Sequence, residues 1–238
     1  MPLESKRSAF FKGGRDTLPL IIGAVPFGIV FGTLSGGAGL SAAATMSLSA
    51  FVFAGSAQFI AVGLVAAGTA WPIIVLTTAV VNFRHLLYTA TLLPFLKPLP
   101  RPWQAVLAFG LTDETFAVAA ARWLRNDCPA HNHWYQLGSM VFMYTNWNIC
   151  TIIGLAAGRI LEGIGGWGLD FAMVAAFIGM AVPYVKNRPT CWAVAVAGGS
   201  ALAFHGLPHK LGLMIASLAG IGAGVIAEGL ERQVTGDG

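Results

Sequence analysis

From Thr17 to Phe83 the chain carries 67 consecutive residues without Asp, Glu, Lys or Arg, and the run ends on Asn82-Phe83-Arg84-His85. A helix of about 20 apolar residues crosses a bilayer, so this run predicts two spanning helices and most of a third. Reading on between charged or Pro/Gly punctuation gives eight apolar segments: 17–35, 42–66, 71–95, 103–122, 134–157, 168–185, 190–206 and 209–227. Connections as short as Gly68-Thr69-Ala70 leave no room for a domain outside the membrane. The expected fold is all-α and integral to the membrane, with about eight transmembrane helices in one domain over 1–238.

Charge then orients the segments. The chain is 56% hydrophobic and 10% charged, with a net charge of +4. Its basic residues gather at segment ends rather than on one face, which reads as topology and not as a nucleic-acid surface. Lys6, Arg7, Lys12, Arg15, Arg122, Arg125, Lys186, Arg188 and Arg232 fall on the side of the termini; Lys97, Arg101, Arg159 and Lys210 fall on the other. That bias places both termini in the cytoplasm. The polar stretch up to Asp16 lacks a signal-peptide cleavage pattern, so the first helix is expected to direct its own insertion. Cys128, Cys150 and Cys191 lie far apart and form no CxxC pattern, so neither a disulfide framework nor a metal or other cofactor is implied.

Two stretches repeat. Ser56-Ala57-Gln58 through Ala66-Ala67-Gly68 resembles Asn146-Trp147-Asn148 through Ala156-Ala157-Gly158, 90 residues on. Leu93-Pro94-Phe95-Leu96-Lys97 matches Val182-Pro183-Tyr184-Val185-Lys186 at an offset of 89. A unit of three helices inserts in opposite senses in its two copies, because three is odd. The pattern predicts an inverted 3+3 repeat, about 17–96 and 103–186, with two appended C-terminal helices at about 190–227. Inverted repeats with broken helices at the midplane are a common device of secondary transporters.

Polar residues inside the spans are the candidates for chemistry. The second segment is interrupted at Phe53-Ala54-Gly55-Ser56-Ala57-Gln58-Phe59, and an interruption is expected in its repeat partner at Met143-Tyr144-Thr145-Asn146-Trp147-Asn148. Half-helix ends exposed there would hold the charged groups of a zwitterion. Alternatively Ser56, Gln58, Asn146 and Asn148 hydrogen-bond neighbouring helices within unbroken spans. In the third segment, Asn82, Arg84 and His85 interrupt an apolar stretch from Trp71 to Phe95, and Arg84 lies too deep to reach either interface comfortably. A charge there costs about 2.5–3.5 kcal/mol even on the lenient insertion scale. Asp113 and Glu114 stand at comparable depth in the fourth segment, so an ion pair of Arg84 with one of them is expected.

The candidate substrate contacts are thus Ser56, Gln58, Asn82, Arg84, Asn146 and Asn148, with His85, Asp113 and Glu114 as candidates for moving a coupling proton. Both charge signs suit a zwitterionic substrate. Glycines four apart, such as Gly28 and Gly32 or Gly154 and Gly158, predict close helix packing, within the chain or against a partner. Neither a His-Glu-x-x-His zinc motif nor a Gly-x-Ser-x-Gly nucleophile elbow occurs. An intramembrane enzyme therefore lacks its parts.

The stretch from Gly23-Ala24-Val25-Pro26-Phe27-Gly28 through Phe53-Ala54-Gly55-Ser56-Ala57-Gln58-Phe59 to Asn82-Phe83-Arg84-His85-Leu86-Leu87-Tyr88 resembles the AzlC family. Thr112-Asp113-Glu114-Thr115-Phe116-Ala117 and Leu169-Asp170-Phe171-Ala172 are similar to its later motifs. The resemblance implies the large subunit of a two-component exporter of branched-chain amino acids, and in some members methionine. It also implies a bacterial inner-membrane location and a small AzlD-like membrane subunit as partner. Proton coupling is the expected driving force; a channel, or a scaffold that moves no substrate, is the alternative. The Trp123–His133 connection is too short to dock an ATPase.

Overall fold

The computed structural model describes residues 5–125, 131–160, 178, 182, 185–207 and 211–235. These residues form helices and turns, with no strand among them. The chain divides into two compact units, Met1–Leu169 and Asp170–Gly238.

In the first unit, α1 runs from Lys6 to Gly37, with the Ser5 hydroxyl capping its start by accepting from Ser8 N–H at 3.1 Å. It begins about eleven residues before the expected apolar segment. The extra turns are held by packing: Gly13 lies against the Tyr135 backbone and Gly14 against the Phe142 ring, while Tyr135 Oη donates to Asp16 at 2.8 Å. Gly39, at φ +83°, then reverses the chain in a conformation that glycine adopts without steric cost.

The second segment is broken as expected. Helix α2 (Ala42–Ser47) widens into a π-type turn over Leu48–Val52 and stops at Phe53, which is left-handed at φ 41° and ψ 43°. Ala54 is extended, and α3 restarts at Gly55 and runs to Ala66. A bulky residue with positive φ costs of order 1–3 kcal/mol and persists only where surroundings enforce it. Phe53 is enforced by its ring, packed edge-on to Tyr144 at 5.0 Å and stacked on Phe109 at 6.2 Å.

The third and fourth segments are each divided, where the sequence predicted single helices. Helix α4 (Trp71–Asn82) and α5 (Arg84–Leu96) meet at Phe83, where Phe83 N–H bonds Val80 O at 3.2 Å and Leu86 N–H bonds Phe83 O at 3.0 Å. These i to i−3 bonds tighten one turn without ending the span. Helix α6 (Arg101–Phe109) and α7 (Asp113–Trp123) are separated outright by Gly110-Leu111-Thr112. Thr112 opens α7 with a reciprocal cap: its N–H donates to Thr115 Oγ1 at 2.7 Å, and Thr115 N–H donates back to Thr112 Oγ1 at 3.4 Å.

Helix α8 (Asn132–Ile160) is continuous through Met143–Asn148, so the second interruption expected from the repeat is absent. Its polar side chains need no break: Asn148 Nδ2 donates to Tyr144 O at 2.9 Å, one turn back. Helix α8 packs along α1 through small residues. Gly28 faces Cys150 so closely that a Cβ there would lie 2.6 Å from that side chain, and Gly32 meets the Thr151 carbonyl. Gly138 meets Phe10 O, and Gly154 meets Ile29 O. Thr17 Oγ1 donates to Ser139 at 2.7 Å, and Thr33 Oγ1 to Gly154 O at 3.0 Å. Contacts advance together along both helices, so α1 and α8 run parallel, as the first and fifth of an alternating series would.

Three helices are long and apolar enough to cross a membrane among the described residues: Lys6–Gly37, the span Trp71–Leu96 formed by α4 and α5, and Asn132–Gly158. Exposed apolar side chains on α4 and α5, among them Trp71, Val75, Leu86 and Leu87, suit lipid rather than water. The second unit holds α9 (Arg188–Ala203) and α10 (Leu211–Thr235), which pack on each other where Gly220 and Gly224 meet Ala197 and Ala193. The sixth segment, with Asp170 and Pro183, lies outside the described residues apart from Ile178, Val182 and Val185.

Candidate functional site

The three interruptions place the charged residues of the spans at helix ends. Arg84 is the first residue of α5 and Asp113 the first of α7. Acidic residues in the first turn of a helix oppose its positive dipole end, so Asp113 and Glu114 are favoured there even before they find a cation. Arg84 supplies one, with Nη1 at 2.8 Å from Asp113 Oδ2. Its Nη2 donates to Ser56 Oγ at 2.5 Å, tying the guanidinium to the start of α3. The side chains of the pair remain 28% and 21% exposed, so they are partly buried rather than sealed in a core.

Tyr88, one turn beyond Arg84, donates its hydroxyl to the other Asp113 oxygen and stacks on Phe116 of α7 at 4.3 Å. Asp113 is therefore held from two sides by α5. Glu114 accepts instead from Thr112 Oγ1 at 2.7 Å and takes no part in the ion pair. His85 Nδ1 lies 3.1 Å from Asn82 O, and its ring sits edge-on to Tyr88 at 5.6 Å. His85 bonds neither carboxylate.

A second polar group lies under the break in the second segment. Gln58 is fully buried, with Nε2 3.4 Å from Ser49 Oγ, and Ser49 in turn pairs with Thr151 of α8 at 2.8 Å. Asn146 accepts weakly from Cys150 Sγ at 3.6 Å. Asn148, bonded within α8, is joined by no hydrogen bond to the other candidates.

Of the nine residues singled out by sequence, the structure thus joins Ser56, Arg84 and Asp113 directly, with Asn82 and His85 at the same turn and Glu114 beside Asp113. Gln58 belongs to the adjoining buried network. Tyr88, Ser49, Thr151 and Trp147 were not singled out. Their polar groups sit in apolar surroundings that look like ordinary packing in sequence.

Among the described residues, five buried polar atoms have no hydrogen-bond partner: Gln58 Oε1, Asn82 Oδ1, Arg84 Nε, Asn146 Nδ2 and Trp147 Nε1. Each such group costs about 1–3 kcal/mol. All five belong to α3, α8 or the turn between α4 and α5, around the residues just described. A set of unsatisfied donors and acceptors of this kind calls for an explanation, and a polar ligand supplies one.

Apolar spans, helices broken beside a partly open ion pair, and buried polar groups without partners define an integral membrane protein with a polar site inside its helical bundle. The chain belongs to the AzlC family: the family described as AzlC protein matches residues 19–161. It is similar to the inner membrane protein YgaZ of Escherichia coli, 29% identical over 92% of this chain and 89% of that protein. An uncharacterized membrane protein of Archaeoglobus fulgidus is 32% identical over 91% of this chain and 94% of its own length. The branched-chain amino acid transport protein AzlC of Bacillus subtilis is 27% identical over 73% and 68%, respectively. No solved structure matches the chain.

Proposed function

We propose that this chain is the carrier subunit of a secondary-active exporter of branched-chain amino acids, leucine, isoleucine, valine and also methionine, in the bacterial inner membrane. The observation that carries the reading is the joining of Arg84, Ser56 and Asp113 at helix ends, with partnerless buried polar atoms at Asn82 and Arg84 in the same turn and at Gln58 in the first turn of α3. Both signs of charge meet there, partly exposed, which suits an amino acid better than a simple ion. Membership in the AzlC family and the name of the Bacillus subtilis relative support the substrate class.

Export is driven by the proton gradient in this reading. Asp113 is engaged by Arg84 and Tyr88, whereas Glu114 and His85 lie nearby without an ionic partner and are the groups free to exchange a proton. A small AzlD-like membrane subunit completes the exporter, and both termini face the cytoplasm. Asn146 contributes from α8 on the far side of the broken segment.

The test is reconstitution of the chain in proteoliposomes with and without the small subunit, following labelled leucine, valine, isoleucine and methionine. Saturable counterflow, and net movement that follows an imposed pH gradient, is the expected result. Flux that rises without saturation would make the protein a channel. No flux in either combination would leave it a scaffold.

A further inference from the structure

The contacts of α6 and α7 with α8 show where each end of that segment lies. Trp103, in the first turn of α6, packs edge-on to His133 and Trp134 at 4.9 and 5.0 Å. At the other end of the segment, Arg122 Nε donates to Asn132 Oδ1 at 2.8 Å and Trp123 Nε1 to Gln136 Oε1 at 2.9 Å. Both ends are thus level with the first turns of α8. The middle lies deeper, for Gly110 packs on Met140 and Phe109 is 6.1 Å from Tyr144. A single crossing does not return to the level at which it began, so α6 and α7 form a hairpin with its tip at Gly110-Leu111-Thr112.

The segment of α2 and α3 folds back the other way. Its tip is level with the first, since the Phe53 ring meets both Tyr144 and Phe109, and Tyr144 Oη donates to Ala50 O at 3.0 Å. From there both arms lie beside residues further along α8. Ser49 of the first arm pairs with Thr151, and Gly55 of the second faces the Trp147 ring. Phe59, one turn on, packs edge-on to Phe31 at 5.9 Å, and the next residue of α1, Gly32, meets Thr151 and Gly154. Gln58 joins the two arms through its bond to Ser49.

The lengths agree. Helix α3 has 12 residues, α6 has 9 and α7 has 11, and the α2 arm runs from Ala42 to Val52. At about 1.5 Å per residue such arms reach about 14–18 Å, roughly half of a hydrocarbon core about 30 Å thick. Non-helical backbone at that depth is tolerated only inside protein or along a cavity, and Phe53, Ala54, Gly110, Leu111 and Thr112 are all buried. Charge agrees as well. Phe95 stacks on Trp123 at 5.6 Å, so α5 ends where α7 ends. The connection carrying Lys97 and Arg101 therefore joins Lys6, Arg15, Arg122 and Arg125 at one end of the bundle, rather than facing them across it as the sequence pattern suggested. Basic residues gathered on one side mark the cytoplasmic face.

Arg84, midway along the span that α4 and α5 form, reaches both hairpins just past their tips. Its Nη2 holds Ser56, the second residue of α3, and its Nη1 holds Asp113, the first residue of α7. Resting on the transport reading above, we propose that α2–α3 and α6–α7 are re-entrant hairpins entering from opposite faces, each the gate to its own side, with Arg84 as their shared latch. Helix α1 with α2–α3, and α4–α5 with α6–α7, then form one unit twice: a crossing, followed by a hairpin from the face just reached. One crossing is odd, so the second unit is the first inverted. Release of Ser56 frees the outer gate, and release of Asp113 frees the inner one. A zwitterion that takes over one of these bonds releases one tip.

Labelling tests the hairpins. Ser5, Gly37, Ala67 and Pro98 are exposed in the connections, and each is changed singly to cysteine in a full chain carrying Cys128→Ser, Cys150→Ala and Cys191→Ser. A membrane-impermeant maleimide is applied to intact cells and to inverted vesicles. Ala67→Cys is expected to react from the same face as Gly37→Cys, and Pro98→Cys from the same face as Ser5→Cys. Segments that each cross the membrane give the reverse for both, and reaction of either residue from the other face overturns the proposal. Tying the tips tests the gates: Phe53→Cys and Phe109→Cys together are joined by a short, reducible bifunctional thiol reagent. Leucine counterflow in proteoliposomes is expected to fall at least about tenfold and to return on reduction, while the reagent changes either single variant by less than about twofold. Counterflow within about twofold of the untreated double variant overturns the gates. Should Phe53→Cys fail to insert, Ala50→Cys with Tyr144→Cys ties the outer hairpin to α8, and unchanged counterflow there overturns them equally. If the parent chain shows no leucine counterflow, it is the transport reading that fails, and the labelling still decides the hairpins.

Discussion

The seam between α1 and α8 and the three interrupted segments beside it solve opposite problems with the same apolar alphabet. Along the seam, glycines bring two long helices into backbone contact, and threonine and serine hydroxyls close the few polar gaps. Of the partnerless buried polar atoms, Asn146 Nδ2 and Trp147 Nε1 lie on α8, and the other three lie in the interrupted segments. In the interrupted segments the chain spends residues on left-handed, extended and tightened turns, and leaves charged and amide atoms without partners. The contrast separates a frame built on close backbone contact from a site built on interrupted helices.

The largest expected effect breaks the site and spares the frame. Arg84→Ala or Asp113→Asn should lower leucine efflux by about 100-fold, the upper range for hydrogen bonds to charged groups. The chain should still insert, as read by its yield as a monodisperse species in detergent. The double variant restores electrical balance but not the geometry, so it too should stay inactive. Full export by Arg84→Ala, Asp113→Asn would remove these residues from the site.

The next effect breaks the frame. Gly32→Val drives a side chain into the Thr151 carbonyl and Leu155 backbone, and overpacking of this sort costs about 1–3 kcal/mol. Thermal unfolding in detergent should shift down by several degrees, with efflux falling only as the folded fraction falls. Normal stability with lost efflux would mean that the seam moves during transport. A smaller change is expected from Thr17→Val, which removes the bond to Ser139 and should cost about 0.6 kcal/mol, the average for such bonds between membrane helices. Least of all is Gly36→Ala, since nothing lies within 4 Å of a Cβ placed there; stability and efflux should match the parent.

Several features could be read before the fold was known. Arg84 in an apolar segment demanded an acidic partner, and Asp113 at similar depth was one of two available. The break at Gly55 was visible as small and polar residues inside an apolar run. Other breaks were not. The turn at Phe83 contains neither glycine nor proline and is shaped by i to i−3 bonds that leave no compositional trace. The break before α7 did have a signal: threonine followed by two acidic residues is a helix-start pattern, but its charge drew attention away from its role as a cap. At Met143–Asn148 the error ran the other way. Asparagines in a span suggested a break, yet Asn148 satisfies itself on the carbonyl one turn back, and the helix continues.

The parallel run of α1 and α8 limits how this protein can change shape. Gly13 against Tyr135, Gly28 against Cys150 and Gly32 against Gly154 share one register, so close contact ties the two helices together at several levels. In the transport reading proposed above, a change of shape would fall on Phe53, Phe83 and Gly110, three joints distributed over the three segments between these helices.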